Sequence, residues 1–496
     1  MAGLSPWSSW PCLGVALLAL GGCVVGPRYS RPPAPVPSEF KETPPNWKQA
    51  QPSDQVPRGN WWEVYQDPEL NRLEERIDVS NQNLKAAQAQ FDEARALVRL
   101  NRADLYPTIR TGVSAVRERF SANRPQATSV TTTNDFILPV DMSYEPDVWG
   151  RVRSNVAASR ANAQTSFADL QSVSLSLHAE LATDYFQARE LDAEAQLLDS
   201  TVESYQRAYE LTESRYRGGV SSLVDVAQAQ TQLETTRAQD IDVKATRTQF
   251  EHAIAVLIGV PASDFSLRFA ALTATPPATP PGLPSQLLER RPDVAASERQ
   301  MAAANANIGV TRAAYFPLFS IPATAGFEST SITNWLTGPS GFAAVGVAAT
   351  VTALDFGRRR AANDQAWSAY HLAEANYQQT VLTAYREVED QLAALRLLSE
   401  EAQTQDAAVA AAERSLALSQ NRYKGGVTSY LEVTTAQETA LSNERTAVQL
   451  AGRRMMDSVL LIKALGGGFD AASLSNLNVS APTPHSPAPS TSLNAR

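Results

Sequence analysis

The chain has 496 residues, 43% hydrophobic and 19% charged, and a formal net charge of -9. Nothing in that acidic balance would neutralise phosphates, so nucleic acid is excluded as the main partner. The four histidines (His178, His252, His371, His485) have no ligand neighbours at metal spacing, and the only cysteines, Cys12 and Cys23, leave no disulfide framework for the rest of the chain.

In chain order, Cys12 to Leu20 form an apolar run far shorter than the ~20 residues of a bilayer span. It fits the core of a secretory signal, although no Lys or Arg precedes it. Leu20-Gly21-Gly22-Cys23 resembles the lipobox read by lipoprotein signal peptidase. Residues 1–22 are therefore expected to be removed between Gly22 and Cys23, leaving diacylglycerol on the Cys23 sulfur and palmitate on its amine. Val24, rather than Asp, after the cysteine implies onward export to the outer membrane. Residues 23–58 are Pro-rich and read as an extended, lipid-anchored N-terminus.

The remainder is a tandem repeat. Arg215-Tyr216-Arg217-Gly218-Gly219-Val220 recurs as Arg422-Tyr423-Lys424-Gly425-Gly426-Val427, and Trp149-Gly150-Arg151 as Phe356-Gly357-Arg358, both 207 residues on. Tyr106-Pro107 recurs as Phe316-Pro317, 210 residues on. The two copies, 59–260 and 293–470, are joined by a Pro-rich link over 261–292 that cannot be a long helix. Residues 471–496 are expected to be a disordered tail.

Each copy holds a stretch without proline, 151–260 and 358–465, dense in Ala, Gln, Glu, Arg and Leu. Apolar residues recur there at three- and four-residue steps, as in Leu170, Val173, Leu177 and Leu181. From Gly150 to Gly218, and again from Gly357 to Gly425, a continuous helix would span roughly 100 Å. The double glycine then ends it and a second long helix returns, giving a coiled-coil hairpin per repeat. Before each hairpin the pattern switches to period two, as in Phe136, Leu138, Val140, Met142 and Tyr144. Four strands are predicted, at about 109–120, 135–145, 319–330 and 342–353.

A membrane sheet must close, because every backbone amide in lipid needs a partner. Four strands are too few, so the barrel has to be shared between chains. Two chains would supply eight strands and three would supply twelve, and pattern alone does not choose. The fold class is thus α+β: helical hairpins that continue a membrane barrel as a periplasmic tunnel.

The order of lipobox, Trp61-Trp62-Glu63, Asp67-Pro68-Glu69-Leu70, Tyr106-Pro107, Trp149-Gly150-Arg151, Arg290-Arg291-Pro292-Asp293 and Ala313-Ala314-Tyr315-Phe316-Pro317 resembles the outer-membrane efflux protein family. So do the two Arg-Tyr-x-Gly-Gly-Val tips and the closing Ala464-Leu465-Gly466-Gly467-Gly468. These are the TolC-like outer-membrane factors, and the likeness is strongest to the lipoprotein subfamily named after NodT. The resemblance implies a homotrimer with a twelve-stranded barrel, serving as the passive exit duct of a tripartite drug-efflux pump. It also implies a periplasmic adaptor and an inner-membrane transporter of the resistance-nodulation-division type as partners. No cofactor and no enzymatic step is expected. Two other readings stay open at this stage: the duct of a one-step protein secretion system, and a coiled-coil lipoprotein without a pore.

The resemblance places the gate at the hairpin tips. Glu432 is the expected gate carboxylate, with Asp225 its counterpart in the first repeat, and Tyr423 matches a tip tyrosine that holds relatives closed. Thr435 stands where relatives often carry a second carboxylate, and Thr428 where a basic partner is expected. The adaptor would meet Arg215, Tyr216, Gly218 and Gly219 in the first tip and Arg422, Tyr423, Gly425 and Gly426 in the second.

Overall fold

The computed structural model describes residues 24–33, 36–37, 39–42, 60–121, 123, 132–277 and 289–477. Cys23 and the Gly22–Cys23 bond lie outside them, as does His485. In the first repeat, helices α1 (Pro68–Ser80) and α2 (Gln82–Ala103) lead to strands β1 (Thr108–Thr111), β2 (Ser114–Arg119) and β3 (Thr132–Tyr144). Helices α3 (Arg151–Arg217) and α4 (Leu223–Leu257) complete it. The second runs α5 (Pro292–Ala313), β4 (Leu318–Ser329), β5 (Gly341–Val345), β6 (Ala348–Thr350), α6 (Arg358–Lys424) and α7 (Tyr430–Ala464), followed by a short α8 (Ala472–Asn476).

The long helices α3 and α6 have 67 residues each and start at glycines held in the left-handed region, Gly150 at φ 78 and Gly357 at φ 91. Asp147 caps α3 by accepting from the Val152 and Arg153 amides at 3.0 and 2.8 Å. The returning arms α4 and α7 have 35 residues, about half the length of the helices they pair with. The upper halves of α3 and α6 are flanked instead by the 22-residue helices α2 and α5. Hairpin geometry therefore holds only for the lower part, and the upper part is a helix row in the order α2, α3, α5, α6.

Close approach of α3 to α5 rests on small residues. Ala168 of α3 is buried against Ala295 and Ala296 of α5, and Ser154 of α3 lies against Gly309 of α5. On α6 the same upper stretch is largely exposed. The main apolar core sits at mid-height, where Trp61, Trp62, Tyr65, Leu70, Leu73 and Ile77 meet Leu181, Tyr185, Phe186, Ile254, Met455 and Val459. Each such side chain contributes about 1.5–3 kcal/mol on burial.

The sheet has the order β1/β2, β3, β4, β5/β6, all antiparallel. The first and last strand positions are each interrupted, at Gly112-Val113 and at Gly346-Val347, so four strand positions hold six segments. Gly326 faces Pro139 across the central pair, and a Cβ there would lie 2.1 Å from the Leu138 carbonyl oxygen.

Both ends of the described residues are packed along the helices. The Val25 amide donates to the Trp149 carbonyl at 3.3 Å, Gly26 lies against Gly309, and Asn305 donates to the Pro27 carbonyl at 3.1 Å. Lower down, Tyr29 donates to Glu298, Arg31 donates to the Tyr377 hydroxyl at 3.1 Å, and Phe40 packs on Tyr385. Glu42 pairs with Arg396 at 2.7 Å. The described part of the Pro-rich N-terminus is thus a strap on α5 and α6.

Disorder expected from residue 471 onward does not hold for its first residues. Leu474 is buried against Ala168, Ala295 and Ala296, and its carbonyl accepts from Gln164 at 3.1 Å. A side chain of that size inserted among alanines orders the turn that carries it. Residues 478–496 lie outside the described residues. Among the described residues, no helix is long and apolar enough to cross a membrane.

Candidate functional site

Two regions concentrate function: the sheet and the hairpin tips. Cross-strand register sorts the sheet into unlike faces. One carries Ile109, Leu138, Val140, Met142, Ala323, Ala325, Phe327, Ala343 and Val345; the other carries Arg110, Asp135, Asp141, Thr324 and Glu328. A sheet apolar on one side and charged on the other suits a wall between lipid and water. Among the described residues of one chain, its two outer edges, β1/β2 and β5/β6, have no strand beside them.

At the first tip, α3 stops at Gly218, Gly219 turns through φ 72, and Ser222 caps α4. The cap is reciprocal: the Asp225 amide donates to the Ser222 hydroxyl at 3.2 Å, and the Asp225 carboxylate accepts from the Ser222 amide at 3.1 Å. At the second tip, Gly425 and Gly426 make the same turn, but Ser429 makes no side-chain cap. Glu432, one methylene longer than Asp225, instead accepts from Arg422 at 3.0 Å and from the Thr428 hydroxyl.

The structure brings the two tips together. Tyr423 is only 9% exposed, crosses Tyr430 edge-on at 5.1 Å, and lies under the Arg215 guanidinium at 4.9 Å. Its buried hydroxyl has no hydrogen-bond partner among the described residues. Burial pushes the neighbouring Tyr430 hydroxyl up to about 12. Tyr216, the counterpart of Tyr423, is exposed. Of the expected gate residues, Tyr423 is thus interior, Asp225 is engaged in a helix cap, and Glu432 is engaged by a cation. The engagement of Arg422 with Glu432 went unread in the sequence, although a ten-residue spacing across a tight turn is its signal.

One buried polar cluster was also missed. His178 stacks on Trp62 at 4.4 Å and bonds Glu74 at 2.7 Å and Asp78 at 3.3 Å. Burial, chiefly, pushes Glu74 up to about 7. Among the described residues, no group of His, Cys, Asp and Glu gathers in a way that could hold a metal ion.

A half-amphipathic sheet on helices of this length, with packed tips at the far end, defines an outer-membrane channel. Residues 75–260 and 283–467 match the Outer membrane efflux protein family, and the chain belongs to that family. It is 31% identical over 476 residues to the antibiotic efflux pump outer membrane protein ArpC of Pseudomonas putida, covering 95% of this chain and 98% of that one. The same figures hold for the toluene efflux pump outer membrane protein TtgC, also of Pseudomonas putida. Among solved structures, the outer-membrane channel OprN superposes with a TM-score of 0.84 at 28% identity, covering 90% of this chain and 99% of that one. The protein is an efflux channel of the outer membrane and not an enzyme. The secretion-duct and pore-less readings fall with that assignment.

Proposed function

We propose that three copies of this chain close into a ring, a twelve-stranded barrel continued by a helical tunnel, which releases drugs and organic solvents handed on by a periplasmic adaptor. The observation that carries the ring is the pair of open sheet edges. In lipid an open edge leaves several kcal/mol of unmet backbone hydrogen bonds per group, and no described strand of the same chain meets them, which favours a neighbouring copy. Head-to-tail contact of unlike edges closes as a ring when the rotation allows it. Three copies accord with the family resemblance, where two would give only the minimal barrel.

Antibiotics and toluene stand in the names of relatives, and the same kind of cargo is inferred here. The transporter that energises export is inferred to be of the resistance-nodulation-division type. Cys23 is inferred to carry the lipid, as in the NodT-like lipoproteins, with the strap beginning at Val24. Adaptor contacts fall to Arg215, Tyr216, Gly218, Gly219, Arg422, Tyr423, Gly425 and Gly426, and the gate to the tip cluster of Tyr423, Glu432 and Asp225.

Native mass spectrometry of the detergent-extracted protein tests the ring. Three copies, each heavier than the residues after Gly22 by its acyl groups, are expected. A monomer or dimer that still conducts ions in planar bilayers would overturn the trimer and leave the channel.

A further inference from the structure

The apolar face of the sheet does not end in apolar residues. From Thr111–Val140 through Ser114–Ile137 to Arg119–Thr132, the first two strands keep one register on β3, without a bulge. Alternation therefore carries the face of Ile109, Leu138 and Val140 on through Ala115 and Phe136 to Arg117, beside Asn134, and Arg119, beside Thr132. Glu118 and Asp135 fall on the opposite face. Both arginines are exposed. Among the described strands no Asp or Glu shares their face, and the segment 119–134 that joins β2 to β3 contains neither residue.

Their height is set by the topology. The chain enters β1 from α2 and leaves β3 towards α3, so Arg119 and Thr132 mark the end of the sheet away from the helices. In an outer-membrane channel with periplasmic helices, that end faces outward. Trp335, in the connection from β4 to β5, folds onto the same apolar face. Its ring lies 6.0 Å from Phe136 and its indole N–H donates to the Phe327 carbonyl at 3.2 Å. Aromatic side chains at the rim of an apolar band mark the boundary between acyl chains and headgroups. Arg117 and Arg119 stand two and four residues beyond Phe136, about 7 and 13 Å further along the strand. The repeat shows that this charge is particular to one hairpin: its shift carries Arg117 to Phe327 and Arg119 to Ser329, and residues 329–354 contain no charged side chain.

We propose that Arg117 and Arg119 bind the phosphate groups of the glycolipid that forms the outer leaflet, with Phe136 and Trp335 beneath them against its acyl chains. A guanidinium matches phosphate as a two-pronged donor, and no carboxylate of the sheet competes for either arginine. A lipid, and not a free anion, is the occupant because the pair continues the lipid-facing band, and exposed Ile332 and Leu336 flank Trp335. The inference needs only the outer-membrane address and is independent of the number of copies in the channel.

Native mass spectrometry of the full-length channel in detergent tests it, with added lipid A and with lipid A stripped of its phosphates. Wild type is expected to retain the phosphorylated form about tenfold better. Arg117→Gln with Arg119→Gln is expected to abolish that preference. Arg117→Lys with Arg119→Lys is expected to keep part of it, and Glu118→Gln, on the other face, all of it. Equal retention of both lipids by wild type would overturn the inference without recourse to any variant. An undiminished preference in the double Gln variant would place the phosphate elsewhere and overturn it too. Displacement of lipid A by inorganic phosphate would make the arginines a site for a free anion and refute the lipid. Both side chains are exposed, so the double Gln variant is expected to conduct as wild type does in planar bilayers, which reports that the channel has formed.

Discussion

Arg422 Nη1 lies 3.0 Å from Glu432 Oε1 across the second tip, whereas at the first tip Arg215 stands over Tyr423 and Asp225 caps its own helix. Two tips built from one repeat have thus assigned their charges differently. The pair cancels a negative charge where an uncompensated carboxylate was expected. Glu432→Gln should therefore leave Arg422 as excess positive charge and lower the preference for cations. Arg422→Ala should expose Glu432 and raise it. Reversal potentials in planar bilayers read both, and shifts of the same sign would dismiss the pairing. Neither change should cost more than about 1 kcal/mol of stability, since the pair is solvated.

Asp225 has a structural task in this arrangement. Asp225→Ala removes half of a capping box and should destabilise the start of α4 by about 1 kcal/mol. Faster amide exchange over Leu223–Val226 with unchanged ion selectivity is the expected result. A selectivity change would return Asp225 to the gate.

Stability should depend on pH through Glu74. Its carboxyl is pushed up to about 7, first by burial and further by Asp78, with His178 opposing, against an ordinary value of 4.5. The folded state holds this proton more tightly than the unfolded chain, so the contribution falls as pH rises from about 4.5 to about 7. The Tm of Glu74→Gln relative to wild type should thus increase between pH 5 and pH 8. A constant difference would mean that Glu74 does not titrate in that window.

Gly452 lies on α7 against α3, and a Cβ there would fall 2.4 Å from Glu190 Cγ and 2.8 Å from its Cβ. Alanine gains about 1 kcal/mol over glycine in helix propensity. The clash with the root of a buried side chain, which cannot swing aside, should outweigh that gain. Gly452→Ala is expected to melt below wild type, and Gly452→Ala with Glu190→Ala above Gly452→Ala alone.

The long helices were legible because Gly150, Gly218, Gly357 and Gly425 bracket stretches free of proline, and helix boundaries follow such breakers closely. The strands were legible because period two survives wherever one face is apolar. The interruptions at Gly112 and Gly346 were less so, since a lone glycine in a strand pattern has several meanings. The strap escaped notice because proline content reports the absence of helix, not of contact: Tyr29, Arg31 and Phe40 carry the packing. At the tips, the family pattern located Glu432 and Asp225, but their different partners depend on one methylene and a serine cap, which no periodicity encodes.

The uninterrupted run of α3 and α6 has a consequence for how such a duct can change length. Adding one residue to a helix turns everything beyond it by about 100° and advances it by 1.5 Å. A single insertion in α3 would swing Arg215 away from Tyr423 and so disengage a tip far from the change. Only steps of about seven residues, which nearly restore the facing stripe, keep both ends in phase, and α6 must take the same step. The depth of periplasm this channel spans is therefore adjustable only in coarse, paired increments of about 10 Å.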